Sequence, residues 1–427
     1  MFKTFRFHTL IFSSLLLVVG TAIDQVLATS DETPPKFELL HLWATPEEDY
    51  ALRAFSNPTK EKGVDWSEHA VETNFLGVRR AYAERLALFA PPSAVFWIGG
   101  NEAVSALVDQ GTFRKIPLEV GGHDFSEILR TEVLDVVRYD ESHFALLPVG
   151  IHLQNHILYN DGLLELFAQE PPKTWEQFLS LAERVHAKGY YGISVSDQRW
   201  QIRFLIGSIM AEFFSADQFQ TLISGDSQSP QIKENLELSF KVLKRLRYVA
   251  NPDFKDLHWD TAVDHVVQGR ALANVLGDFS SPLLPPSGGV TCEMPPGNTY
   301  VLWSLDTIAL TNAVGVGHTA GQNIFIETVA IPEHNQTYII RKGGIPAYKN
   351  VDSSLLHPCS KQSIEHWDKA SDKFLLSSRE WTQTMDAIAA VGQIIWRDPS
   401  HSINDAVEEA LHSLKALSLA REKLGAE

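Results

Sequence analysis

Apolar strands alternate with amphipathic helices at the start of this 427-residue chain. Residues 37–43 form an apolar strand, and Pro46 opens a helix with carboxylates in its first turn, where the helix dipole favours negative charge. Further strands are predicted at 70–73 and 93–98, and further helices at 77–89 and 102–108. This βαβα order predicts an α/β fold with a mostly parallel sheet covered by helices.

The remaining pattern predicts two lobes. A helical middle at 164–273 separates the strands near the start from a strand at 300–310, and helices dominate again from residue 363. A chain of about 400 residues exceeds what one hydrophobic core organises. We therefore expect an N-terminal lobe of residues 29–149 and 302–346, a helix-rich C-terminal lobe of residues 150–301 and 347–427, and a ligand cleft between them.

The best-defined local unit runs from residue 171 to residue 201. Thr174 and Gln177 have the spacing of a capping box, which predicts a helix beginning at Trp175. Gly189 is expected to end this helix before a short strand at 193–195. The unit leads to Trp200, which we expect to be exposed.

The first 28 residues are typical of a secretory signal peptide. Lys3 and Arg6 precede an apolar run at 10–19, and small residues end at Ala28. A membrane anchor is the alternative, but this run is shorter than the roughly 20 residues that a span needs. We therefore expect removal of residues 1–28 and a soluble periplasmic protein.

Charge and cysteine content limit the partners. The formal net charge of −17 argues against nucleic acid and anionic membranes, which require clustered Lys and Arg. Cys292 and Cys359 are the two cysteines, and in an oxidising compartment they are expected to form a disulfide worth about 4 kcal/mol. His152 and His156 lie in a predicted strand and turn, so a structural or ligand-facing role is favoured over zinc. We expect neither a metal nor a cofactor.

Several short segments resemble, in chain order, the extracellular solute-binding proteins of ABC sugar importers (family 1), in particular their glucose/mannose-binding branch. The segments are LWATPEE at 42–48, LPVGIH at 147–152 with YN at 159–160, PPKTWEQF at 171–178, GRA to GDF at 269–279, Cys292 to SLD at 304–306, and KGGIPA at 342–347 with PC at 358–359. The resemblance covers nearly all of the mature chain. It implies the two-lobe, type II periplasmic binding protein fold, whose hinge crossings join the lobes.

The resemblance also implies a ligand site. A pyranose has an apolar face that packs on aromatic rings and a rim of hydroxyls that needs donors and acceptors. The implied stacking surfaces are Trp43 and Trp200, and the implied polar rim is Glu48, His152, Asp278, Asp306 and Lys342. Structural alternatives remain open, because Trp43 could belong to the core, Glu48 could serve its helix and Lys342 could be solvated.

Four positions depart from the family pattern. Leu42, Phe96, Ile98 and Gly150 stand where the family carries aromatic or polar pocket residues. Because an unpaired hydroxyl in a dry pocket costs about 1–3 kcal/mol, such losses would weaken binding of the usual hexose. The departures therefore predict weak binding, or a different or less polar ligand.

Two functions follow from the resemblance. We expect a monomeric protein that captures a sugar, in the first place a monosaccharide, and delivers it to a membrane ABC permease by lobe closure. The alternative is a sensory protein of the same fold, read by a membrane histidine kinase or chemoreceptor. An enzyme is not expected, because glycoside hydrolysis needs two carboxylates placed across one bond and no pair here has such motif support.

Overall fold

The computed structural model describes residues 34–71, 75–98, 101–225, 229–312, 315–377 and 379–425. The predicted signal peptide at 1–28 lies outside the described residues. The helices are α1 (Pro46–Glu61), α2 (Phe75–Ala87), α3 (Asn101–Asp109), α4 (Phe125–Ile128), α5 (Thr131–Val137), α6 (Asp161–Leu166), α7 (Trp175–His186), α8 (Arg199–Phe213), α9 (Ala216–Ser224), α10 (Pro230–Val249), α11 (Trp259–Val267), α12 (Val316–Val329), α13 (Pro332–Lys342), α14 (Pro358–Lys369), α15 (Arg379–Arg397) and α16 (Ile403–Gly425). Short 3₁₀ helices cover Asp278–Leu283 and Ser353–Leu355.

The strands form one large sheet and several smaller ones. They are β1 (Lys36–His41), β2 (Asp65–Ala70), β3 (Ala94–Trp97), β4 (Ile116–Pro117), β5 (Glu119–Val120), β6 (His123–Asp124), β7 (His143–Phe144), β8 (Leu147–Leu153), β9 (His156–Asn160), β10 (Ala273–Leu276), β11 (Val290–Glu293), β12 (Val301–Leu310) and β13 (Lys373–Leu375). The predicted strand at 70–73 corresponds to β2, which begins and ends earlier.

The large sheet is mixed: three of its five strand pairings among the described residues are parallel, in agreement with the predicted mostly parallel sheet, and the two pairings of β12 with β3 and β8 are antiparallel. Its order is β13-β12-β3-β1-β2, with β8 also paired to β12. β1 is parallel to β2 and β3, whereas β12 is antiparallel to both β3 and β8. The reason is that β12 returns from the other lobe and enters the sheet in the opposite direction, which the βαβα pattern at the start of the chain does not encode.

The second lobe is mainly helical and surrounds a three-stranded antiparallel sheet of order β10-β9-β11. Helices α8, α10, α15 and α16 pack on one another beside this sheet. The predicted disulfide is confirmed: Cys292 on β11 bonds to Cys359 in the first turn of α14, with 5.5 Å between their Cα atoms. In the described part of the chain, no helix combines the length and apolar character of a membrane span.

Two large hydrophobic cores correspond to the two lobes. The first core includes residues from Phe37 to Leu153 and again from Val301 to Trp367. The second core starts at Ile157 and includes Trp381 and Leu414 near the end of the chain. The sequence predicts crossings near 149–150, 301–302 and 346–347, and β8 runs unbroken through the first of these. We propose that the chain crosses near 154–156, 300–302 and 368–375, which keeps the second predicted crossing.

The capped unit is close to its prediction. Helix α7 begins at Trp175, and the hydroxyl of Thr174 accepts the N–H of Gln177 at 3.2 Å. The side-chain oxygen of Gln177 accepts from Lys173 at 2.9 Å, one residue before the expected donor. Gly189 follows with a φ of +90°, as a helix stop requires. The predicted strand at 193–195 is reduced to a single bridge between Ile193 and Ala250.

Candidate functional site

The five residues of the implied polar rim meet where the two lobes touch. Glu48 comes from the start of α1, Lys342 from the end of α13, His152 from β8 and Asp306 from β12, all in the first lobe. Asp278 begins the 3₁₀ helix after β10 in the second lobe. All five are buried, and Asp278 is fully inaccessible. Side chains that are distant in sequence are thereby collected at the seam between the lobes.

His152 links two carboxylates across this seam. Its Nδ1 lies 3.1 Å from Oδ1 of Asp278 in the other lobe, and its Nε2 lies 3.2 Å from Oδ2 of Asp306 on the neighbouring strand. The contact with Asp278 has hydrogen-bond geometry, whereas the contact with Asp306 is an ion pair outside that geometry. Burial alone would lower the pKa of His152, but the two carboxylates outweigh it and raise the pKa to about 9. The imidazole is therefore charged at neutral pH.

Glu48 and Lys342 form a second buried pair beside the first. Lys342 Nζ lies 3.2 Å from Glu48 Oε1. The other carboxylate oxygen, Oε2, accepts the N–H of Ala44 at 3.1 Å and that of Thr45 at 3.3 Å, which completes the capping box of α1. Glu48 thus caps the start of α1 with one carboxylate oxygen and pairs with Lys342 through the other. Its role in the helix does not exclude a role in the site.

The cavity at the seam has two unlike walls. The charged wall, from the first lobe, consists of Thr45, Glu47, Glu48, Arg341 and Lys342. The aromatic wall, from the second lobe, consists of Trp259, Phe279, Pro282 and Leu283. The cavity between them has a volume of only about 10 Å³, whereas small-molecule pockets usually measure about 300–1,000 Å³. The two lobes are therefore closed on each other.

The sequence does not predict the aromatic wall. Trp259 and Phe279 lie 5.4 Å apart, edge to face, and Lys342 Nζ lies 5.0 Å from the ring centroid of Phe279. Phe279 belongs to a segment that resembles the family, but the resemblance implies a role only for its neighbour Asp278. Trp259 is the first residue of α11 and partly buried, and an apolar residue opening an amphipathic helix is an ordinary pattern that signals no ligand.

Trp43 is not at the cavity, which corrects its assignment as a stacking surface. It is 2% exposed and packs on Phe96 at 4.9 Å and Tyr338 at 5.8 Å within the first core. Residues that depart from the family pattern help to hold Trp43 in the core. Phe96 lies against Trp43, while Leu42 and Ile98 also pack on the first core.

Gly150 leaves no room for the side chain that the family carries there. A Cβ at this position would lie 2.9 Å from Cδ1 of Ile339, on the helix that ends at Lys342. The residues that depart from the family pattern therefore belong to the core of the first lobe or pack against it.

Trp200 lies beside the site rather than in it. It is partly buried in the first turn of α8, where it contacts the ring of Phe204 at 5.5 Å and donates to the side chain of Gln198 at 2.7 Å. Phe204 in turn lies 6.4 Å from Phe279 of the aromatic wall. Trp200 thus supports the aromatic wall through Phe204, and its contact with a ligand stays a prediction.

Buried polar atoms at the seam lack hydrogen-bond partners within the described residues. They are Oδ2 of Asp278, Nε2 of His152 and the hydroxyl of Tyr338. Burial first, and then the charges of Asp306 and Glu48, raise the pKa of Tyr338. Buried polar atoms normally find partners. A ligand with several hydroxyl groups is the kind of molecule that could supply them.

A second, larger cavity lies elsewhere. It is an open groove of about 530 Å³ between α15 and α16, with Ile394, Glu408 and His412 in its lining. Its two carboxylates, Glu408 and Glu409, are exposed at the surface and pair with Lys233 and His401. We place the candidate site at the seam because the buried charged residues converge there. Among the described residues, no group of His, Cys, Asp and Glu is arranged to hold a metal ion.

Comparison with known proteins gives the chain relatives along its length. No family model matches it. A probable sugar-binding periplasmic protein of Brucella suis biovar 1 is 22% identical over 421 residues, which cover 94% of this chain and 98% of that protein. An ABC transporter extracellular-binding protein of Pyrococcus horikoshii is 21% identical over 431 residues, covering 94% of this chain and 95% of that protein.

Solved structures give the same architecture. A chitin oligosaccharide binding protein superposes with a TM-score of 0.73 at 14% identity, covering 90% of this chain and 99% of that one. Likeness at this identity bears on the fold alone, and it confirms the predicted two-lobe α/β fold of periplasmic solute-binding proteins. The two relatives are thus described as a probable sugar-binding periplasmic protein and as an extracellular-binding protein of an ABC transporter.

Proposed function

We propose that this protein binds a sugar in the periplasm, between the charged wall and the aromatic wall, and delivers it to an ABC permease. The observation that carries the proposal is the convergence of Glu48, Lys342, His152, Asp306 and Asp278 at one seam. Carboxylates accept from sugar hydroxyls, lysine donates to them, and Trp259 offers an apolar face to the C–H groups of a ring.

The closed cleft has to open before a sugar can enter, because a cavity of about 10 Å³ holds no more than one water. Opening would separate Asp278 from His152 and Phe279 from Lys342, since the members of each pair belong to different lobes. Hinge motion of this kind is a common way to capture a ligand. The sugar hydroxyls would then take over the contacts that the two lobes make with each other.

A monosaccharide is the ligand we propose first. The polar groups form one compact cluster, in which a single imidazole contacts both Asp278 and Asp306. The role of a sensor read by a membrane kinase stays a prediction, because the two named relatives are described by sugar binding and transport.

A thermal-shift screen tests the proposal. The chain without residues 1–28 would be heated with D-glucose, D-mannose, D-galactose and maltose, each at millimolar concentration. We expect at least one sugar to raise the melting temperature of the wild type, because a ligand that binds only the folded state stabilises it. Asp278→Asn should abolish the shift, while the exposed Asp264→Asn on α11 should retain it. No shift with any sugar, or an equal shift in Asp278→Asn, would contradict the proposal.

A further inference from the structure

The ring of Phe279 extends from the aromatic wall to the charged residues of the other lobe. It is partly buried at the start of the 3₁₀ helix Asp278–Leu283. Lys342 Nζ lies 5.0 Å from its centroid, and the imidazole of His152 meets it edge to face at 5.7 Å. On its own lobe it touches Trp259 at 5.4 Å and Phe204 at 6.4 Å. The ring therefore contacts two charged groups of the polar cluster directly, from the opposite lobe.

Gly277 provides the space that the ring occupies. A Cβ at this position would lie 2.2 Å from Cε1 and 2.5 Å from Cδ1 of Phe279. The backbone of Gly277 has a φ of −81°, which other residues adopt freely, so the glycine is needed for room and not for conformation. Even an alanine at 277 would push the ring away from its present place.

The ring of Phe279 lies against groups that the proposed ligand would contact. Lys342 and His152 are the two cationic groups of the cluster, and both lie next to the ring. A cation over an aromatic face is attracted by the ring, so Phe279 competes with sugar hydroxyls for Lys342. The cavity that remains beside the ring is about 10 Å³.

We propose that Phe279 is a plug that occupies the ligand position in the closed protein and sets how tightly a sugar binds. The inference rests on the proposed function and adds a specificity-determining residue to it. A sugar gains its contacts with Lys342 and His152 only when the ring gives way. The protein accordingly binds its ligand more weakly than the same cluster would without the ring.

Two variants remove the plug by independent routes. Phe279→Ala deletes the ring, and Gly277→Ala displaces it while leaving Phe279 in the chain. Tyr248→Ala is the control, because Tyr248 is an exposed aromatic residue of α10 and is not among the described residues that line the cavity. Thermal unfolding of each variant without ligand would show that it folds.

Calorimetric titration with D-glucose, D-mannose, D-galactose and maltose supplies the test. We expect Phe279→Ala and Gly277→Ala to bind about tenfold more tightly than the wild type, or to bind a sugar that the wild type does not. Tyr248→Ala should stay within about twofold of the wild type. If the wild type binds a sugar and both variants bind it equally or more weakly, the plug is refuted while the proposed function stands. If none of the proteins binds any of these sugars, the proposed function fails and the inference fails with it.

Discussion

The charged wall and the aromatic wall face each other across one cleft, yet different interactions hold their side chains. On the charged wall, Lys342 is paired with Glu48, and beneath it His152 is paired with Asp306, both within the first lobe. On the aromatic wall, Trp259 and Phe279 are positioned by ring packing. The charged wall therefore keeps its geometry when the lobes separate, whereas the aromatic wall contributes adaptable apolar surface.

Because of this difference, substitutions on the two walls should affect different quantities, namely the free energy of unfolding and the affinity for the ligand. Breaking a buried ion pair leaves a charge without a partner and destabilises the fold, while removing a partly exposed ring mainly removes contact area. Changes on the charged wall should thus act first on unfolding, and changes on the aromatic wall should act first on ligand binding.

The largest effect is expected for Lys342→Met. Glu48 would be left buried without its cation, and the free energy of unfolding should fall by about 3 kcal/mol. Glu48→Gln in the same chain should recover most of this loss, because no unpaired charge then remains. Urea unfolding of the two single variants and the double variant measures the coupling. Additive losses would show that the pair does not support the charged wall.

The pH dependence of His152 should give the next largest effect. Its pKa of about 9 lies above the unfolded value near 6.5, so its stabilisation is complete below about pH 6.5 and is lost as the pH rises through 9. The loss is on the order of 3 kcal/mol. His156 should behave in the opposite way, because burial lowers its pKa to about 4. Its contribution to stability is complete above about pH 6.5 and is lost as the pH falls toward 4.

Urea unfolding between pH 4 and pH 10 distinguishes the two histidines. His152→Gln should flatten the alkaline side of the stability profile, and His156→Asn should flatten the acid side. An alkaline limb that is unchanged in His152→Gln would mean that the imidazole is not held charged between Asp278 and Asp306.

Trp259→Ala should have a smaller effect, and this effect should be on the affinity for the sugar rather than on the free energy of unfolding. Losing an aromatic surface against the ring of a sugar should weaken binding about tenfold, with little change in the urea midpoint. Tyr248→Ala, which truncates an exposed aromatic side chain of α10, is the control for calorimetry. Equal affinities of wild type and Trp259→Ala would show that the sugar does not bind against the aromatic wall.

The smallest effect is expected in the groove between α15 and α16. His412→Ala alters its lining at a distance from the seam, so the dissociation constant for the sugar should stay within about twofold. A large loss of affinity in His412→Ala would indicate that the sugar binds in the groove and not between the two walls.

The sequence assigns Glu48 and Lys342 of the charged wall to the site, but neither Trp259 nor Phe279 of the aromatic wall. Glu48 and Lys342 lie in short segments that resemble the family, in the first turn of α1 and at the end of α13. Trp259 and Phe279 are placed by packing between elements that are distant in sequence. No local pattern distinguishes such rings from ordinary core residues.

The same limit applies to Trp43 and to the direction of β12. Trp43 entered the core because Phe96 and Tyr338 surround it, and neither is near it in sequence. The mixed sheet depends on the direction in which β12 returns, which is a property of the whole chain. In contrast, the capped start of α7 depends on a short signal, and the disulfide joins the two cysteines of the chain; both were predicted correctly.

A crystal structure with the sugar that gives the largest thermal shift tests the central claim most directly. We expect the sugar between the two walls, with its hydroxyls on Lys342 and Asp278 and its ring against Trp259, and with Phe279 moved from its present position. A sugar bound in the groove beside His412, or at any other surface away from the seam, would contradict the account.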